Sequence, residues 1–128
     1  MKPKYSIPSM KEIRAVPAKF NAVSTFSGAG GSSLGLQMAG FRVRWASEFI
    51  PAASEVYRLN HRNTYLDERD IRQVTGEDIL SSIGVEAGNI DLMEGSPPCA
   101  SFSMSGKRDK RWGQVVKYSE KYRICYKK

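Results

Sequence analysis

Ala22-Val23-Ser24-Thr25-Phe26-Ser27-Gly28-Ala29-Gly30-Gly31 reads as a strand that runs into a glycine turn, and Ser32 to Ala39 reads as a short helix that stops at Gly40. β-Branched and aromatic residues suit a half-buried pleated surface. Glycines let the backbone take positive φ and let a ligand come close to it. The helix start beyond the turn offers unpaired N–H groups to a polar ligand.

Working outward, strand and helix signals alternate. Phe41 to Glu48 reads as a second strand. Ala52 to Asn60 places Ala52, Ala53, Val56, Tyr57 and Leu59 at helical spacing. A third short strand falls near Thr64-Tyr65-Leu66, ahead of Asp70-Ile71, and Thr75 to Ile83 reads as a helix. Ile90 to Met93 is the fourth strand. This alternation predicts an α/β fold with a parallel sheet. Residues 1–20 read as a polar N-terminal arm, partly mobile; residues 21–106 carry the alternating pattern; residues 107–128 read as a basic C-terminal segment with neither a clean strand nor a capped helix.

The length of 128 residues suits one modest domain with a core of its own. No apolar run is long enough to span a membrane, and Met1-Lys2-Pro3-Lys4 does not open a signal-peptide pattern. Two cysteines, Cys99 and Cys125, make no disulfide framework and fit a reducing, cytoplasmic setting. The net charge is +7. Residues 1–106 hold 11 Lys/Arg against 11 Asp/Glu, whereas residues 107–128 hold 9 against 2. The whole excess therefore lies in the last segment, which suits either a polyanion or a solvated tail.

Three successive strand ends carry chemistry-bearing groups. The first is the glycine turn. The second is Glu48, about twenty residues on, where a carboxylate can accept hydrogen bonds from ribose hydroxyls. The third is Asp70. Ligands of open α/β sheets bind at this carboxyl edge. The fourth strand leads into Gly95-Ser96-Pro97-Pro98-Cys99, followed by Phe102-Ser103 and Gly106-Lys107. Two prolines make a stiff turn with few conformers, a good mount for a nucleophile. Taken alone, that loop also suits a buried structural thiol. His61 reads as a surface or loop residue, Met93 and Met104 as packing, and Cys125 as an incidental thiol. No metal-ligand spacing is present.

The chain resembles the DNA (cytosine-5)-methyltransferases from about Asn21 to Lys107. Phe26-Ser27-Gly28-Ala29-Gly30-Gly31-Ser32-Ser33-Leu34-Gly35-Leu36 is similar to the family's S-adenosylmethionine loop. Ala46-Ser47-Glu48-Phe49 is similar to its ribose-binding strand end, and Asp70-Ile71 to the pair that holds the adenine ring. Tyr57 and Asn60-His61 fall in a stretch common before the third strand. Gly95 to Cys99 with Phe102-Ser103 resembles the catalytic loop. Cys99, where amino-methylating relatives carry an aromatic residue, argues for chemistry at a ring carbon.

The resemblance implies the N-terminal half of a Rossmann-like methyltransferase fold. It implies S-adenosylmethionine as cofactor, held by Phe26, Ser27, Gly28, Ala29, Gly30, Gly31, Glu48, Phe49, Asp70, Ile71 and Pro98. It implies Cys99 as the nucleophile that attacks C6 of a flipped cytosine in double-stranded DNA, with Ser103, Ser105 and Lys107 beside the phosphates. A bacterial or phage-like, nucleoid-associated restriction-modification setting goes with it. The pattern departs from the family in three places. Ala100 stands where Gln is common. No Glu-Asn-Val run follows Cys99, and Glu120 is the only later Glu. The later Gln-x-Arg-x-Arg segment and the recognition domain are also missing. The expectations are therefore an N-terminal piece that works with a second, complementing chain, a truncated inactive product, or a cofactor- or DNA-binding module without catalysis.

Overall fold

A computed structural model describes residues 6–97. Its elements, in order, are α1 (Met10–Arg14), β1 (Phe20–Thr25), α2 (Gly31–Met38), β2 (Phe41–Ser47), α3 (Pro51–Asn60), β3 (Tyr65–Asp67), a 3₁₀ turn (Ile71–Gln73), α4 (Gly76–Ile83) and β4 (Leu92–Gly95). Pro98, Cys99, Ser103, Ser105, Lys107 and the basic segment lie outside the described residues.

The four strands form one parallel sheet in the order β3-β2-β1-β4. The chain steps outward from β1 to β2 to β3 and then returns across the sheet to the other side of β1. That reversal makes a topological switch point between β1 and β4, with a crevice outside their carboxyl ends. β4 has β1 as its one neighbour among the described residues.

Local chemistry explains the element ends. α2 follows Gly30 at φ 97° and is followed by Gly40 at φ 85°, both in the region glycine takes without penalty. α3 opens on Pro51, whose missing N–H costs nothing at a helix start. α4 opens with a capping box between Thr75 and Asp78 and closes on left-handed Gly84.

One buried cluster joins Val23, Trp45, Val74, Ile79, Leu80 and Ile90, flanked by Ile71, Ile83, Val85 and Met93. Ala22 pairs with Val43 but Val23 pairs with Trp45, so Arg44 is the extra residue of a β-bulge. Its guanidinium donates to the Ile83 carbonyl at 3.0 Å, at the electronegative end of α4. The Trp45 indole N–H is buried without a hydrogen-bond partner.

The remaining contacts are more polar. Tyr57 is buried and donates to Ser33 Oγ at 2.9 Å, linking α3 to α2. Ser54, also buried, donates to Glu68.

Four expectations change. The apolar positions read on α3 do not all face inward: Val56 and Leu59 are 42% and 60% exposed, while Ser54 and Tyr57 are buried. The third strand ends at Asp67, before Asp70. The fourth strand begins at Leu92; Ile90 packs in the core ahead of it, and Asp91 is held to Asn21 by two hydrogen bonds. Residues 10–14 form a helical turn, capped by Ser9 and Glu12 and anchored by buried Ile13.

Ile79→Ala should lower stability by about 2–5 kcal/mol, because it opens a cavity in the buried cluster. Val56→Ala should stay within about 0.5 kcal/mol. Urea unfolding followed by circular dichroism measures both.

Candidate functional site at the carboxyl edge of the sheet

The turn after β1 is pinned to the end of β2. Ser27 N–H donates to the Ser47 carbonyl at 2.9 Å, and Phe26 N–H donates to Ser47 Oγ at 3.3 Å. Phe26 has φ 53°, the one described non-glycine residue in the left-handed region. For a bulky side chain that is a strained conformation, of the kind that persists only where surrounding structure holds it.

Glu48 supplies part of that hold. Its Oε2 accepts from Gly28 N–H at 2.9 Å and its Oε1 from Ile50 N–H at 2.8 Å. One carboxylate thus ties the β1–α2 turn to the β2–α3 turn. Each oxygen keeps a further lone pair for a hydroxyl donor. A side chain at Gly28 would meet nothing within 4 Å, so the turn presents open backbone.

Beside this clamp lies a cavity of about 290 Å³, lined by Phe26, Ser47, Glu48, Phe49, Ile50, Arg69, Ile71 and Ser96. Phe26, Phe49, Ile50 and Ile71 give it apolar and aromatic walls. Glu48 puts a carboxylate among them. Arg69 is held by both oxygens of buried Asp67. Burial raises the Asp67 carboxyl, and the hydrogen bonds from Arg69 more than offset this, leaving it below its ordinary value.

The other residues read from sequence fall as follows. Ser27 is buried, with its hydroxyl 2.8 Å from that of Ser24. Ala29 and Gly31 are exposed, and Gly31 opens α2. Asp70 does not line the cavity. It caps the 3₁₀ turn and pairs with Arg72, whose guanidinium and backbone N–H hold its carboxyl below the ordinary range. Its neighbour Ile71 does line the cavity.

Several contributors were given no role by the sequence reading. Ile50 and Arg69 join the lining without any motif signal of their own, while Ser47 and Ser96 join it from the stretches Ala46 to Phe49 and Gly95 to Cys99. Glu94, in β4, accepts from Ser24 Oγ and so ties β4 to the base of the glycine turn. His61 is buried rather than on the surface. Its Nε2 lies 3.0 Å from the Gly30 carbonyl and its ring centroid 4.5 Å from that of Tyr57. The carbonyl can only accept, so the ring nitrogen carries the proton. Burial pushes His61 below its ordinary pKa, the Gly30 carbonyl opposes this, and the charge of Arg14 adds to the downward push.

The arrangement suits an adenosine-like ligand: apolar walls for a ring, a carboxylate for hydroxyl groups, and open glycine backbone beside them. Among the described residues no group of three His, Cys, Asp or Glu is placed to hold a metal, and no helix is long and apolar enough to cross a membrane.

Comparison with known proteins gives a consistent picture. The family model of C-5 cytosine-specific DNA methylases matches residues 20–114. The Type II methyltransferase M.AquIA of Picosynechococcus sp. is 44% identical over 86 residues, which are 67% of this chain and 35% of that protein. M.NgoPII of Neisseria gonorrhoeae is 38% identical over 66% of this chain and 23% of its own length. This chain thus spans at most about a third of these curated relatives. Among solved structures, a prophage-encoded protein (E. coli) assigned as a DNA modification methyltransferase superposes with a TM-score of 0.67 at 31% identity, over 83% of this chain and 28% of that one. A variant of Spodoptera frugiperda DNMT2 superposes with a TM-score of 0.54 at 27% identity, over 73% of this chain and 27% of its own.

Two outcomes follow from the turn. A Cβ at Gly30 would lie 2.3 Å from His61 Nε2, in a backbone at φ 97°. Gly30→Ala should therefore cost more than the roughly 1–2 kcal/mol of a left-handed residue alone. Adding His61→Ala should relieve the steric share only, as a double-mutant unfolding cycle would measure. His61 is the one histidine of the chain. Because its folded value is depressed, its contribution is full above the unfolded value of about 6.5 and is lost as pH falls through the folded value. The melting temperature should thus fall from pH 7 to pH 5, and fall less in His61→Gln, in scanning calorimetry across that window.

Proposed function

This chain belongs to the C-5 cytosine-specific DNA methylase family, and from that premise we propose that it binds S-adenosylmethionine at the carboxyl edge and presents Cys99 to cytosine in duplex DNA. The family methylates DNA cytosine at C5, and cofactor use comes with the family. The observation that carries the reading is the convergence at the switch point. The Glu48-clamped glycine turn, the apolar cavity and the chain leaving β4 toward Cys99 all meet there.

In this reading Phe26, Phe49 and Ile71 enclose the adenine ring. The free lone pairs of Glu48 accept from the ribose hydroxyls, and Gly28 to Gly31 keep the backbone low enough for close approach. Asp70 reaches the adenine only by giving up part of its pairing with Arg72. Pro98, which lies outside the described residues, takes the role in cofactor binding that the resemblance gives it. When bound, the cofactor supplies an electrophilic methyl group.

Cys99 acts as thiolate. Its sulfur would add to C6 of the cytosine ring, the electron pair of the C5–C6 double bond would move to C5, and C5 would take the methyl group as the methyl–sulfonium bond breaks, its electron pair leaving with the cofactor's sulfur as a neutral thioether. Loss of the C5 proton to a base and departure of the thiolate then restore the double bond. The ring must leave the base stack for the sulfur to reach it. Ser103, Ser105 and Lys107 hold the neighbouring phosphates, as hydroxyl and cationic donors do.

The reaction also needs a group to stabilise the ring at N3 and a surface to choose the target. This sequence holds no Glu-Asn-Val run. The proposal includes further polypeptide that supplies both, in the same chain or a second one, paired along β4. A binding module without catalysis is the second reading, which the cavity beside Glu48 serves equally well.

Calorimetry with S-adenosylmethionine should show binding that Glu48→Ala abolishes and Cys99→Ala leaves unchanged. With the complementing strands and recognition domain co-expressed, a duplex carrying 5-fluorocytosine should give a covalent protein–DNA adduct, since fluorine cannot leave C5 as a proton. The adduct should vanish in Cys99→Ala. A soluble, cofactor-loaded complex that forms no adduct would sink the catalytic reading and leave the binding module.

A further inference from the structure

A second cavity, of about 180 Å³, lies at the opposite edge of the sheet. Its lining residues come from the strand starts: Arg14 from the end of α1, Arg42 from the start of β2, and His61, Arg62 and Asn63 from the loop before β3, with Ser33 of α2. β1 is six residues long, so this edge stands roughly 20 Å from the carboxyl edge.

Its charge sets it apart. Among the described residues no carboxylate lines it. Arg58, Arg69 and Arg72 each pair with an acidic side chain, and Arg44 donates to a helix-end carbonyl. By contrast, Arg14 donates only to the Asn60 carbonyl, at 3.3 Å. Arg42 and Arg62 have no ion pair among the described residues. Three guanidinium groups therefore surround one small cavity with no ion pair among the described residues, although Glu55 lines a neighbouring hollow with Arg62. Residues 1–106 carry as many acids as bases, so this is a local excess and not a reflection of overall charge. The Arg14 charge is felt at His61, where it adds to the downward push on the ring.

We propose that this cavity binds a phosphate group. Guanidinium forks match the oxygens of phosphate in paired hydrogen bonds, and three forks around one space favour an anion with several acceptor oxygens. His61 donates from Nε2 to Gly30, which leaves Nδ1 an acceptor, so the neutral ring borders the space without donating to an anion in it. Ser33 Oγ accepts from Tyr57, which leaves its own proton to donate. At about 180 Å³ the space is below the 300–1,000 Å³ of sites for drug-sized ligands. It suits orthophosphate, pyrophosphate or one phosphate of a longer chain, and not a nucleoside ring. His61 and Ser33 also hold the start of α2, so occupancy bears on the glycine turn through them.

The test is titration calorimetry of the full chain with pyrophosphate, at ionic strength held constant with sodium chloride. Saturable binding is expected, weakened at least about tenfold, the equivalent of about 1.4 kcal/mol, by Arg42→Gln with Arg62→Gln. Arg14→Gln, tested separately, should weaken it as well. Both side chains of the double variant are exposed, and an unchanged circular dichroism spectrum shows that the fold survives. Arg58→Gln, outside the cavity, and Lys110→Gln with Arg111→Gln, in the basic segment, should leave the affinity unchanged. A short oligothymidine without terminal phosphates separates the sources. If the double variant weakens it as it weakens pyrophosphate, the ligand is a phosphodiester; if not, it is a free phosphate. The proposal is overturned by absence of saturable pyrophosphate binding, by affinity that Arg14→Gln and the double variant both leave intact, or by equal loss in the Lys110/Arg111 variant.

Discussion

A single carboxylate holds the working edge of this sheet together. Glu48 accepts one backbone N–H from each of two turns that would otherwise be joined only through the strands beneath them. Hydrogen bonds to a charged acceptor contribute about 1.5–3 kcal/mol each. A residue held in a sparsely populated backbone region costs about 1–3 kcal/mol. The Gly28 bond to Glu48, with the bonds from Phe26 and Ser27 to Ser47, holds the turn in which Phe26 keeps φ 53°. The same carboxylate that would meet a ribose also builds the wall the ribose rests on. Losing it therefore removes a ligand contact and the geometry of the turn together.

Beneath that edge, the molecule holds itself in two different ways. Val23, Trp45, Ile79, Leu80 and Ile90 form an apolar cluster, where burial alone is stabilising. Around the glycine turn the buried residues are Ser24, Ser27, Ser33, Tyr57 and His61. They contribute only because each finds a partner: Ser24 with Glu94, Ser27 with the Ser24 carbonyl, Tyr57 with Ser33, His61 with Gly30. Directional bonds fix the orientation of a backbone turn, whereas apolar burial is non-directional. Ser24 and Glu94 extend that control to β4. Gly95 sits so close to Thr25 that a Cβ there would meet Thr25 Oγ1 at 2.2 Å. The strand that leads to Cys99 is thereby set directly against the strand that leads to the turn.

The parallel α/β architecture was legible because it is written in local pattern. Runs of Val, Ala and aromatic residues, broken by Gly40, Pro51 and Gly84, mark where strands and helices change over. The glycine turn and Glu48 were legible because spacing along a βαβ unit fixes which residues share an edge. What was not legible depends on partners far along the chain. His61 owes its burial to Gly30, 31 residues earlier, and nothing adjacent to it in sequence signals that. Periodicity on α3 counted Val56 and Leu59 as inward because it weighs hydrophobicity and not hydrogen bonding. Ser54 and Tyr57 won the buried face through Glu68 and Ser33. The helix at Met10–Arg14 did carry a local sign. Ser9 and Glu12 stand in capping-box spacing, but five residues are too few for periodicity to show. Asp70 was read as a strand end from its place just after the short third strand, but that strand stops at Asp67 and Asp70 caps the 3₁₀ turn and pairs with Arg72, two residues on.

Trp45 is buried to the last atom in the apolar cluster, and its indole N–H meets no acceptor. Buried tryptophans usually find one. An indole so enclosed has neither water nor a polar neighbour to relax around its excited state, so it emits at the blue end of its range. The chain has one other tryptophan, Trp112, in the basic segment. With Trp112 replaced by phenylalanine, the colour of the protein's own fluorescence becomes a gauge of the α4-side core alone. It shifts to the red when that core opens, whatever happens at either edge of the sheet.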